Sequence, residues 1–141
     1  MRNPVETIEV PLAVAIGGSL GSVARWGLAS AIVTTTFPVA TFITNILGSF
    51  ALGIVLVVGE VLGRRHGHHH QHHQQWWVRL WRPFMATGVL GGFTTFSTFA
   101  VELNRLDVVV AVGYLVASVV CGLWAYSTGN ALARKGFGVR A

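Results

Sequence analysis

Apolar residues in this chain come in long blocks, not in the short periods of a soluble helix or strand. No Asp, Glu, Lys or Arg interrupts 10–24, 26–59, 83–101 or 108–133. About 20 mostly apolar residues cross the hydrocarbon core of a bilayer. The pattern therefore predicts an all-α integral membrane protein whose four transmembrane helices cover 10–33, 39–62, 84–104 and 108–133. The first two are separated by Thr34-Thr35-Thr36-Phe37-Pro38, a polar break closed by proline, and the last two by a short turn near Arg105 and Asp107. Short connections make each of these pairs antiparallel neighbours. The long connection, 63–83, is polar, basic and rich in histidine, and Trp76, Trp77 and Trp81 close it where amphipathic rings favour the headgroup layer. The first apolar stretch is too long for a cleaved signal peptide, contains Arg25, and precedes three more spans. Residues 1–141 read as one four-helix transmembrane domain.

Composition agrees and narrows the choice. Charged residues are 11% of the chain, against about 25% in an average soluble domain. Hydrophobic residues are 52%, too many for a surface surrounded by water. An ordinary cytosolic globule, a disordered chain and a nucleic-acid module are excluded, despite the net charge of +5. Cys121 is the single cysteine, so no disulfide or cysteine-based metal site forms within one chain. The N-terminus, the long loop and the C-terminus share one side of the membrane. They carry Arg2, Arg64, Arg65, Arg79, Arg82, Arg134, Lys135 and Arg140, and the other side carries only Arg105. Eight against one predicts cytoplasmic termini.

Small residues mark where helices approach. Helix one has Gly17-x-x-x-Gly21, and helix two has Ser49-x-x-x-Gly53 behind Gly48. Small residues four apart let helix backbones pack closely in lipid. A phosphate-loop reading of 17–21 fails, because no lysine follows and the segment lies at membrane depth.

Helix three does not read as a plain span. Its Gly91-Gly92-Phe93-Thr94-Thr95-Phe96-Ser97-Thr98-Phe99 joins two poor helix residues to a β-branched pair, with four hydroxyls in five positions. This helix is expected to break at membrane depth. Such breaks survive only where protein buries them or a cavity wets them. In channels and transporters they expose carbonyls to cations and N–H groups to anions. The plainer alternative is a flexible helix whose hydroxyls bond back to their own i−4 carbonyls. Phe96 and Phe99 lie three apart on one face. Packing explains such a pair in general, but an aromatic edge is electropositive and can contact an anion. Asn45, within an uncharged span, needs a partner, and interhelical glue is its plain reading.

The string Gly91-Gly92-x-Thr94-Thr95-Phe96-Ser97-Thr98-Phe99-x-x-Glu102 resembles the signature of the bacterial fluoride channels of the Fluc (CrcB) family. Gly17-Gly18-x-x-Gly21-x-x-x-Arg25, Thr41-x-x-x-Asn45-x-x-Gly48-Ser49-Phe50, Tyr114 and Ser118 agree in order. The resemblance implies a fluoride-specific channel of the bacterial inner membrane, exporting fluoride passively, built as an antiparallel dimer of the dual-topology type. It further implies one structural sodium ion held by the backbone carbonyls of Gly91 and Thr94 from both subunits. Phe96 and Phe99 would line the pore, Asn45 would supply an amide donor, and Ser97, Thr98, Tyr114 and Ser118 a track of hydroxyls. Ala40, Leu90 and Ala100 depart mildly from the family's pattern. The eight-to-one charge bias departs more, and leaves two expectations: a homodimer, or a heterodimer with an oppositely oriented homologous chain.

Arg25 is the one charge within helix one, and reads as a structural group or a positive vestibule. Glu60 and Glu102 sit toward helix ends and read as interfacial. His66, His68, His69, His70, His72 and His73 fall within eight residues of the loop and would bind zinc or nickel in vitro, while a solvated loop is the plainer reading. Three other readings compete, one of them a structural membrane subunit, which leaves the Gly-Gly-x-Thr-Thr break without a purpose. A proton-coupled small multidrug exporter needs a membrane-embedded carboxylate in helix one, which is absent. A metal-responsive membrane protein using the histidine loop needs intramembrane carboxylate or His ligands. No nucleophile–base constellation points to an enzyme.

Overall fold

The structure, a computed structural model, describes residues 4–32, 37–66 and 79–139, with 4–7 and 64–66 described in their backbone only. The loop histidines from His68 to His73, together with Trp76 and Trp77, lie outside the described residues. Every regular element among the described residues is helical, and four helical stretches are long and apolar enough to cross a membrane. They are α1 (Pro4–Ala31), α2 (Val39–His66), a bent third span (Arg79–Leu103) and a long final helix. The third span contains α3, which has the wide π pitch over Pro83–Leu90 and returns to α geometry over Gly91–Phe93, and then α4 (Phe96–Leu103). The final helix is α5 (Val108–Phe137). It stops at Gly138, whose φ of 65° is left-handed and favours glycine; its N–H and that of Val139 reach the Lys135 and Arg134 carbonyls.

The break in the third span falls where the glycine–threonine string predicts it. Thr94 (φ −80°, ψ 161°) and Thr95 (φ −148°, ψ 124°) are both extended. β-Branched threonine is at home in extended backbone, so local propensity and the observed dihedrals agree.

Helix pairing differs from the simple hairpin expectation. Helices joined by short connections do touch, but the main packing partners are α1 with α3 and α2 with α5. In both pairs the contact positions rise together along the two helices, so each pair is parallel. Glu9 pairs with Arg79, a Cβ on Gly17 would lie 2.5 Å from the Phe84 carbonyl oxygen, and one on Gly21 would lie 2.8 Å from the Phe93 nitrogen. In the second pair, a Cβ on Gly129 would lie 3.1 Å from the Phe50 carbonyl carbon, and one on Gly53 2.7 Å from the Asn130 nitrogen. Glu60 meets Arg134 at 3.2 Å near the ends of that pair. Gly17, Gly21 and Gly53 therefore serve the next helix but one, while Gly48 meets the third span. The reason is physical: lipid tails are as apolar as the helix faces, so backbone-to-backbone fit and not burial selects the partner.

The Glu9–Arg79 and Glu60–Arg134 pairs sit at the end of the bundle where α1 and α3 begin and α2 and α5 finish. The Trp81 indole N–H, at the same end, donates to the Val55 carbonyl at 3.4 Å. The outer faces carry apolar side chains such as Leu20, Val109 and Trp124, as a lipid-facing surface requires.

Candidate functional site

The break leaves backbone groups without helical partners, and the surrounding residues satisfy them selectively. Asn45 of α2 reaches Thr95 with both ends of its amide. Its Oδ1 accepts from the Thr95 N–H at 2.9 Å, and its Nδ2 donates to the Thr95 carbonyl at 3.1 Å. This two-point contact, between residues 50 apart, ties α2 to the bend. The glue reading of Asn45 is thus what the geometry displays, and one N–H of the amide is left over from this pairing.

Thr95 caps α4. Its Oγ1 accepts from the Thr98 N–H at 3.2 Å and donates to Thr98 Oγ1 at 3.0 Å, and Ser97 Oγ lies 3.3 Å away. The side chain of Thr94 turns the other way, donating to the Leu90 carbonyl at 2.8 Å. Its methyl sits against Gly48, where any Cβ would collide with it. Of the four hydroxyls in the string, only that of Thr94 bonds back to its i−4 carbonyl.

An open cleft of about 440 Å³ runs beside the break. Asn45, Gly91, Thr94, Thr95, Phe96, Phe99 and Ser118 are among its lining residues. The structure thus brings together most of the residues singled out from the sequence. Ser118 Oγ is buried there with no hydrogen-bond partner among the described residues. Phe96 and Phe99 are 6.1 Å apart between ring centres, yet their settings differ: Phe96 is 80% exposed and Phe99 only 6%. Ser97 and Thr98 are exposed on α4 and do not line the cleft. Arg25 is half-buried on α1, away from the cleft, with no ion pair among the described residues.

Tyr114 lies behind Phe99, almost wholly buried, with ring centres 5.0 Å apart. Phe37 meets the same tyrosine edge-on at 5.3 Å. Glu102 is more than the interfacial residue expected. Its Oε1 accepts from Thr41 at 2.7 Å and its Oε2 from the Tyr114 hydroxyl at 3.0 Å, so one carboxylate joins α2, α4 and α5. The sequence signal was present, since Thr41 and Glu102 each stand in one of the quoted motifs. Nothing in the spacing of residues 61 apart discloses that they meet.

The cleft offers neutral N–H, O–H and aromatic-edge donors, with no charged side chain among its described lining residues. A four-span membrane protein with a broken helix and such a cleft belongs to the class of small ion-conducting channels and transporters. A family model described as CrcB-like protein, Camphor Resistance (CrcB), matches residues 12–130. The fluoride-specific ion channel FluC of Paracoccus denitrificans is 38% identical, with 87% of this chain and 93% of the relative covered. FluC 2 of Nocardia farcinica is 35% identical, covering 94% and 91%, and FluC 1 of Listeria innocua is 37% identical, covering 79% and 86%. The chain belongs to the CrcB family, a family of membrane channels and not of enzymes.

Proposed function

We propose that this chain is a fluoride-specific channel that lets fluoride leave the cytoplasm passively and so lowers its toxicity. The observation that carries the reading is the broken third span, which sets neutral donors around an open cleft in a chain whose relatives are named for fluoride. Fluoride is small and tightly hydrated, so a pore must replace its water with amide and hydroxyl donors. Conduction also requires that no site hold the ion too firmly, which favours Asn45, Ser118 and the edges of Phe96 and Phe99 over lysine or arginine. In this reading Ser97, Thr98 and Tyr114 extend the route along α4 and α5.

Structural sodium fits the chemistry of the bend. The helical donors for the Gly91 and Thr94 carbonyls are engaged elsewhere, since Thr95 N–H is held by Asn45 and Thr98 N–H by the Thr95 hydroxyl. Carbonyl oxygens suit a hard cation. Gly91 and Thr94 would hold it, and its fixed positive charge would draw anions toward the cleft.

The open side of the cleft suits closure by a second, antiparallel subunit. The eight-to-one bias of Lys and Arg favours an oppositely oriented homologous chain as that subunit over a second copy. Cysteine-accessibility mapping should find this chain in one orientation with cytoplasmic termini; finding both orientations in cells would remove the case for a heterodimer.

The decisive test is flux. Purified chain in liposomes should release fluoride and not chloride, measured with ion-selective electrodes. If it is silent alone, co-expression with an oppositely biased homologue should restore fluoride efflux. Silence in both preparations, or equal chloride flux, would overturn the fluoride reading.

A further inference from the structure

We infer that Asn45 and Thr95 are the positioning residues that create the cation site, by withholding two specific N–H groups from the carbonyls of Gly91 and Thr94. The inference deepens the sodium reading above and rests on it. In an uninterrupted α-helix the N–H of residue i bonds the carbonyl of residue i−4. The Thr95 N–H would then occupy the Gly91 carbonyl, and the Thr98 N–H the Thr94 carbonyl. Neither does so. The Thr95 N–H goes to Asn45 Oδ1 at 2.9 Å, and the Thr98 N–H to Thr95 Oγ1 at 3.2 Å. The Thr94 N–H, one residue short of a further donor for Gly91, goes to the Leu90 carbonyl at 2.9 Å.

Two side-chain acceptors on different elements therefore each divert one donor, and the two carbonyls those donors would have served in a continuous helix are the two assigned to sodium. The diversion is held from several directions. Asn45 Nδ2 grips the Thr95 carbonyl at 3.1 Å, which prevents the residue from swinging back into helical register. The Thr95 hydroxyl gives its own proton to Thr98 Oγ1 at 3.0 Å, so its lone pairs face the Thr98 N–H. Neither side chain needs to touch the ion. They act through the backbone they hold, and leave the carbonyls the full charge density that an i+4 donor would otherwise neutralise.

The test is sodium-dependent thermal stabilisation of the purified channel in detergent, prepared from this chain alone or, where flux requires it, with the co-expressed homologue, with sodium titrated against N-methylglucamine at constant ionic strength. Thr95→Val keeps the β-branched shape suited to extended backbone and removes only the hydroxyl. It should raise the sodium midpoint at least tenfold, and Thr95→Ser should return it to within about twofold of the parent. Asn45→Ala should likewise raise the midpoint at least tenfold. Val57→Ala, in the buried contact of α2 far from the bend, controls for general destabilisation: it should lower the melting temperature and leave the sodium midpoint in place. A parent protein that responds to sodium while Thr95→Val and Asn45→Ala respond at the same midpoint would overturn this inference alone. A parent protein indifferent to sodium would overturn the sodium reading and this inference together. Where Asn45→Ala does not fold, the Thr95→Val and Thr95→Ser pair decides.

Discussion

The two halves of the third span, on either side of Thr94 and Thr95, are held by different physics. Before the bend, α3 lies against α1 backbone to backbone. A Cβ on Gly88 would lie 3.0 Å from the Gly17 Cα, and one on Gly92 3.0 Å from the Gly18 carbonyl carbon. After the bend, α4 is held by side chains: the Thr95 cap, the Glu102 carboxylate shared by Thr41 and Tyr114, and the tilted ring contact of Phe99 with Tyr114. The first half is a matter of shape, and along its seam with α1 no Cβ fits at Gly17, Gly21 or Gly92. The second is a matter of partners, and its tolerance depends on which partner is left behind. A span that must expose carbonyls halfway through a membrane needs both. The rigid glycine contact fixes where the bend lies, and the polar contacts decide what the chain does after it.

That contrast can be broken at either end, and the largest effect is expected in the glycine seam. A side chain at Gly21 would run into the α3 backbone at Val89 and Phe93. Gly21→Val should cost about 3 kcal/mol or more, since neither backbone can yield without moving a helix. Loss of the monodisperse peak in size-exclusion chromatography, with a collapse of thermal stability, is the expected readout. Full stability in this variant would mean that α1 and α3 are not in backbone contact.

Next comes the carboxylate. Glu102→Ala strips the acceptor from the hydroxyls of Thr41 and Tyr114 and should cost about 2 kcal/mol. Glu102→Gln keeps one carbonyl acceptor and should cost roughly half of that. Thermal unfolding of the pair ranks them, and equal losses would show that charge rather than acceptor count holds α4. Tyr114→Phe removes one donor from the same group and should cost about 1 kcal/mol, with the aromatic contact to Phe99 preserved.

The smallest effect on stability is expected at Phe96, which is 80% exposed. Phe96→Ala should change stability by under about 0.5 kcal/mol, in contrast to Phe99→Ala, which empties a buried contact with Tyr114. Fluoride efflux from liposomes carrying Phe96→Ala should nonetheless fall steeply, because on the proposed route this ring has its use in the pore and not in the fold. Unchanged efflux would remove Phe96 from the ion path.

Much of this was legible in the residues. Four uncharged blocks of sufficient length leave a chain in a bilayer no alternative to four spans, because each backbone N–H and carbonyl must be satisfied within its own helix. The bend was legible for a related reason. Gly91-Gly92 weakens the helix and Thr94-Thr95 prefers the extended form, so local propensity marks the segment in which the helix fails. Small residues at 17, 21, 48 and 53 announced close approach.

What approached what was another matter. The short connections suggested hairpins, whereas the glycine contacts select parallel partners one helix further on, a choice that depends on fit between complete surfaces. Asn45 was recognisable as a polar group in need of a partner. That both ends of its amide would close on Thr95 follows only from bringing α2 against the bend. Glu102 looked interfacial until α2 and α5 placed Thr41 and Tyr114 on its two oxygens. Propensity and hydropathy act over a few residues and are written in the chain. Hydrogen bonds between residues 50 or 61 apart exist only once the helices have chosen their neighbours, and that choice belongs to the tertiary structure.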